Sequence, residues 1–131
     1  MRTLLLVLVI VLYSSPVLAQ NKIVNKKVVD TNFIFVNGFM ASGIILDVES
    51  TYTCTSTGKC IEANPFMRPL VDKGRPAMYA VQGAVAGLVM YSSYDLKKRG
   101  SKIWWLPPVI VGALHTAVGI NNMRISISIS R

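Results

Sequence analysis

Charge is scarce in this chain, and acid is scarcer than base. Charged residues make up 15% of its 131 positions, where an ordinary soluble domain carries about a quarter. Six Asp and Glu stand against fourteen Lys and Arg, a net charge of +8 with one histidine and two cysteines. No G-x-S-x-G, no glycine-rich phosphate loop and no H-E-x-x-H occurs, so nucleophile-elbow, phosphate-cradle and zincin chemistry have no anchor here. The cysteines are not spaced C-x-x-C, which sets thiol-redox enzymology aside. No basic stripe and no nucleic-acid motif accompanies the positive balance, so nucleic acid is not a partner this sequence calls for.

What is present instead is apolar residue in long runs, 52% of the chain. The length allows one domain. The basic residues fall in short groups between those runs: Lys22, Lys26 and Lys27, then Lys97, Lys98, Arg99 and Lys102, then Arg124 and Arg131. Charge at the ends of apolar segments suits phospholipid head groups. The lipid bilayer is therefore the expected partner, and no cofactor is called for.

Residues 1–19 follow the plan of a secretory signal peptide. Arg2 precedes an apolar run from Leu4 to Tyr13, Ser14-Ser15-Pro16 break it, and small side chains lead to Ala19. An uncleaved anchor is the competing reading. Residues 20–32 form a polar, basic arm. Three spans are then expected, over 33–52, 76–96 and 103–121, each about 30 Å long at 1.5 Å per residue. Small residues at four-residue spacing mark faces where helices can approach closely: Gly38 with Ser42, Gly83 with Gly87, and Gly112 with Thr116. They suit packing within the chain, against a partner helix or in a homo-oligomer. Trp104 and Trp105 suit the head-group zone, and Pro107 and Pro108 the first turn of the last span. Residues 53–75 read as a connecting loop, in which Asn64-Pro65 starts a turn or a short helix. The tail, 123–131, alternates Ile and Ser, a pattern that suits a strand. With no strand to pair with, it is expected to fray or to lie on the membrane.

The polar residues inside this apolar frame need a reason. Asp47 and Thr51 stand four apart and share a helical face. His115 and Asn122 share another, and Glu62 and Asn64 sit in the connecting loop. Ionisable groups at membrane depth are costly and mark function or pairing. Two readings stand side by side. In one, Asp47 pairs with His115 and the cluster clamps the helices, making this a structural or accessory protein. In the other, the cluster is a metal, proton or substrate site of a membrane-embedded enzyme or transporter subunit. Orientation is equally open, and one option has Phe33–Tyr52 entering and leaving the same face as a re-entrant segment. A cleaved leader puts the 53–75 loop in the cytoplasm with Cys54 and Cys60 as free thiols. The Lys97–Lys102 group argues for the reverse, with the two cysteines closing a disulfide in an oxidising compartment.

The pattern Asp47-x-x-x-Thr51 followed by Glu62-Ala63-Asn64-Pro65 resembles that of a family of small bacterial multi-span membrane proteins of unknown function. The resemblance runs from about Phe33 to Asn122. It implies a membrane setting and weight on Asp47, Thr51, Glu62, Asn64 and Pro65, and it names no substrate. The two cysteines between the halves of the pattern depart from it. The resulting expectation is an all-α protein of the bacterial inner membrane: a signal peptide, then a three-helix transmembrane bundle with a polar cluster at one end.

Overall fold

The computed structural model describes residues 27–62 and 64–128. The expected leader and most of the 20–32 arm lie outside the described residues. Among the described residues the chain is all helical, with no strand and four helices: α1 (Thr31–Ser56), α2 (Arg68–Asp72), α3 (Arg75–Lys98) and α4 (Leu106–Ser128).

Helix α1 starts where an acceptor is available for its first free N–H groups. Asp30 lies in extended backbone, and its carboxylate accepts the Phe33 N–H at 2.9 Å, the usual device of an N-cap. From there Phe33, Asn37, Met40, Ile44, Val48, Thr51 and Cys54 are buried, one every three or four residues, so they form a single stripe. The helix stops at Ser56. The Thr57 hydroxyl and N–H both turn back onto the Thr53 carbonyl. Gly58 then takes a left-handed φ of +69°, which glycine adopts without steric cost. The N–H groups of Lys59 and Cys60 return to the Cys54 carbonyl.

Prolines mark the other starts. Pro69 and Pro76 sit in the first turns of α2 and α3, and Pro107 and Pro108 follow Leu106 in α4, where a missing N–H costs no helical bond. The two-residue link between α2 and α3 turns through Gly74, at φ +85°.

Helix α4 lies along α1, and α3 packs on both. The α1–α4 approach is close because three glycines line it. A Cβ on Gly43 would stand 2.5 Å from the Gly112 carbonyl oxygen and 2.8 Å from Thr116 Oγ1. One on Gly112 would meet the Phe39 ring at 2.8 Å, and one on Gly119 would meet Leu46 Cγ at the same distance. Met40, Ile44 and Val48 of α1, Met78 and Val89 of α3, and Val111 of α4 form the core around this seam.

At the end of the bundle away from the connecting loop, Lys97 of α3 forms an ion pair with Asp30. Its ammonium also lies 4.1 Å from the Trp104 ring centroid and 5.5 Å from that of Phe33. The Lys97 hydrogen bond, with the Phe33 N–H, holds the Asp30 carboxyl below the ordinary carboxylate value. Ser93 donates to the Trp104 carbonyl at 2.8 Å, tying α3 to the start of α4.

Three expectations need correcting. Close packing within the chain occurs at Gly43, Gly112 and Gly119, not at Gly38, Gly83 or Gly87, where an added Cβ meets nothing within 4 Å. Ser42 is exposed and bonds back to the Gly38 carbonyl. The tail is not strand-like up to Ser128. It continues α4, and the Lys59 ammonium donates to the Ser126 carbonyl at 3.2 Å. The 53–75 segment is not all loop, since α1 runs on to Ser56 and α2 lies within it.

By length and composition, one helix among the described residues is long and apolar enough to cross a membrane, Thr31–Ser56. Helix α4 carries His115, Asn121 and Asn122, and α3 carries Arg75, Gln82, Asp95, Lys97 and Lys98. These residues dilute the apolar average of both helices.

Candidate functional site

The α1–α4 seam carries a chain of polar side chains. His115 Nδ1 of α4 lies 2.6 Å from Asp47 Oδ2 of α1. The other Asp47 oxygen accepts the Thr51 hydroxyl at 3.1 Å, an i,i+4 pair on one face of α1. Thr51 Oγ1 in turn accepts Asn122 Nδ2 of α4 at 2.8 Å. Asp47 and His115 are mostly shielded, with side chains 14% and 19% exposed, and Thr51 is buried. Both carboxylate oxygens are therefore occupied, and the two helices are joined at His115 and again two turns later at Asn122.

A cavity of about 580 Å³ opens beside this chain. Asp47, Thr51, His115 and Asn122 line it. Glu62 and Asn64 of the connecting segment line the same cavity, so all six polar residues singled out from sequence meet around one space. Glu62 Oε1 accepts the Asn64 N–H at 2.7 Å, and Asn64 Oδ1 accepts the Phe66 N–H at 3.1 Å. These two short-range bonds fold the Asn64-Pro65 turn. Arg68 fastens it from outside by donating to the Glu62 carbonyl at 3.0 Å.

Cys54 and Cys60 stand at disulfide distance, Cα–Cα 5.4 Å. Cys54 is buried in α1, and Cys60 is part of the cavity wall. A bridge between them holds the strand that carries Ile61 and Glu62 against the helix end.

Asn121, a polar residue that the sequence also offers as a candidate, precedes Asn122 and lines the same space. The amide that sequence reasoning passed over is on α3. Gln82 of α3 brings the third long helix to the cavity, and an amide in an otherwise uncharged run of α3 was the available signal. Beside the cavity, Glu49 takes an ion pair from Arg75 at 3.0 Å and a hydrogen bond from the Tyr79 hydroxyl at 2.9 Å. Arg75 also lies over the Tyr52 ring, 4.3 Å from its centroid. This second polar group ties the end of α1 to the start of α3.

Among the described residues, no group of three or more His, Cys, Asp or Glu side chains can hold a metal ion. That removes the metal site built from two carboxylates and the histidine. Asp47 and His115 meet, while Glu62 lies across the cavity wall with its own backbone partner.

The fold and site define a class: a small all-helical protein whose longest apolar helix is joined to a second through an Asp–His–Thr–Asn chain beside a polar cavity. Residues 38–128 match the family described as Domain of unknown function (DUF5658), and the chain belongs to that family. The match takes in all six polar residues and both cysteines. No curated protein and no solved structure matches the chain. Membership in an uncharacterised family agrees with the resemblance drawn from Asp47 to Pro65 to that extent.

Proposed function

We propose that the chain is a small multi-pass protein of the bacterial inner membrane, structural or accessory in role. In it the Asp47–His115 pair clamps α1 to α4. The observation that carries this reading is the bare apolar outside of the three long helices. Phe35 and Ile34 of α1 are 78% and 63% exposed, and Leu88 of α3 is 68% exposed. Val81 and Val85 of α3 and Ile110 of α4 continue these faces. In water so much contiguous apolar surface is a liability. In lipid it is the expected exterior, and the polar groups belong inside, paired with one another. Helix lengths of 26, 24 and 23 residues are enough to cross a hydrocarbon core about 30 Å thick at about 1.5 Å per residue.

Orientation follows from the cysteines. An oxidised Cys54–Cys60 pair belongs on the oxidising side, which leaves the Lys97–Lys102 group on the cytoplasmic side, as the positive-inside tendency prefers. This is the opposite of the orientation a cleaved leader imposes. The test is made on the full chain in isolated membranes. The protein is expected to stay in the pellet after alkaline carbonate extraction. Cys54 and Cys60 are expected to react with an impermeant maleimide from outside, and only after reduction. Release into the carbonate supernatant would overturn the membrane reading. Labelling from the cytoplasmic side without reductant would reverse the orientation.

A further inference from the structure

We propose that the cavity between α1, α3, α4 and the 60–67 segment binds an amphipathic organic cation through a primary ammonium or guanidinium group. The cavity, its wall chemistry and its volume carry this. It does not depend on the clamp, because Glu62 takes no part in the Asp47–His115–Thr51–Asn122 chain.

The charge is distributed unusually. The chain has fourteen Lys and Arg against six Asp and Glu, yet among the described residues the cavity wall contains two carboxylates, Asp47 and Glu62, and no Lys or Arg. The nearby cations are turned elsewhere. The Lys59 ammonium donates to the Ser126 carbonyl and the Arg68 guanidinium to the Glu62 carbonyl. Carboxylates in a cleft with apolar walls focus a negative potential, which attracts cations and repels anions.

The kind of cation follows from the rest of the wall. A bare metal ion is a poor fit, because no three ligating side chains converge among the described residues and both Asp47 oxygens are already bonded. Among the described residues no aromatic ring lines the cavity, so they do not form the cage that quaternary ammonium groups require. Instead the wall offers hydrogen-bond acceptors. Glu62 uses Oε1 on the Asn64 N–H, which leaves Oε2 for a ligand, and the amide side chains Gln82, Asn121 and Asn122 line the same wall. An N–H-bearing cation can satisfy these with short charge-assisted bonds. The remaining wall is apolar and unbranched or flexible in part, with Met67, Met78 and Leu114, which suits a hydrocarbon or ring body behind the charged head. A volume of about 580 Å³ lies within the range of sites for small organic ligands.

The experiment uses the full chain in nonionic detergent, dialysed to equilibrium against protein-free micelles. Three probes share one ring system and differ in head group: tryptamine as the cation, tryptophol as the neutral analogue and indole-3-propionate as the anion. Tryptamine is expected to bind saturably. Tryptophol and indole-3-propionate are expected to bind at least tenfold more weakly. Glu62→Gln is expected to weaken tryptamine at least tenfold while leaving tryptophol and the melting temperature unchanged. Should Glu62→Gln fail to fold, Val118→Lys decides. It places a resident ammonium at the cavity rim, where Val118 is half exposed, and is expected to abolish tryptamine binding. Absence of saturable tryptamine binding overturns the proposal. So does equal binding of all three probes, or tryptamine affinity unchanged in the folded variant.

Discussion

The α1–α4 seam and the outer face of α3 use the same small residues to opposite ends. At the seam, Gly43, Gly112 and Gly119 bring two backbones into contact, and the Asp47–His115 and Thr51–Asn122 bonds cross the same line. On α3, Gly83 and Gly87 keep the spacing that usually marks a helix contact, yet both face open space. A small residue only permits an approach. The approach is made where a polar partner or a core side chain on the neighbouring helix also requires it. In the middle of α3 that requirement falls on the opposite side, at Met78, Val89 and Ser93.

The sharpest way to break this contrast is to add bulk on each side of it. Gly43→Val drives methyl groups into the Gly112 carbonyl and Thr116, where even a Cβ stands 2.5 Å from backbone. Since backbone must move, a loss of about 3 kcal/mol is expected, the upper end for overpacking. Gly83→Ala is expected to do the reverse and stabilise by about 0.5 to 1 kcal/mol, the ordinary gain in a helix interior. Denaturant unfolding of the purified protein in detergent checks both. A Gly83→Ala loss as large as that of Gly43→Val would place a hidden contact on α3.

The next effect concerns the polar half of the seam. Asp47→Ala leaves His115 and Thr51 without their acceptor in a shielded site, at an expected cost of about 2 kcal/mol. His115→Gln in the Asp47→Ala background is expected to cost far less than in the parent, because the partner is already gone. Strictly additive losses in unfolding free energy would mean the two residues do not act as a pair.

The smallest effect lies at the opposite end of α1. The folded Asp30 carboxyl is held below its ordinary value of 3.8 by Lys97 and the Phe33 N–H. A carboxyl depressed in the folded state contributes stability above its unfolded value, and that contribution is lost as pH falls through the folded one. A modest drop in melting temperature is therefore expected below the ordinary carboxylate range. Asp30→Asn should remove that part of the acid dependence while leaving the neutral-pH tryptamine affinity unchanged. An acid limb identical in parent and variant would assign it to other carboxyls.

Much of the site was legible from spacing. Asp47 and Thr51 are one turn apart, and His115 and Asn122 are two turns apart, so two helices each presenting such a face can meet only in a few registers. The Gly112–Thr116 pair pointed to the same face. What spacing could not carry was which glycine faces which neighbour. Gly43 and Gly119 matter because of what lies opposite, and that depends on helix rotation rather than on local pattern. The length of α4 was misread for a related reason. Ile-Ser alternation has a strand's period, but beside α1 the helix is prolonged and the Ser126 carbonyl finds the Lys59 ammonium. Asp30 as a cap is readable as an acceptor three residues before Phe33, but its setting in a basic arm hides it.

Helix α1 is moored at both extremities. Asp30 and Phe33 are gripped by Lys97 and Trp104, and Cys54 stands at disulfide distance from Cys60. A rod fixed at each end cannot slide like a piston against its neighbour, and the interlocked glycines of the seam oppose rotation about its axis. Of the cavity walls, the segment that carries Cys60, Ile61 and Glu62 is the one not built from a long helix, and its start lies beside the end of this rod.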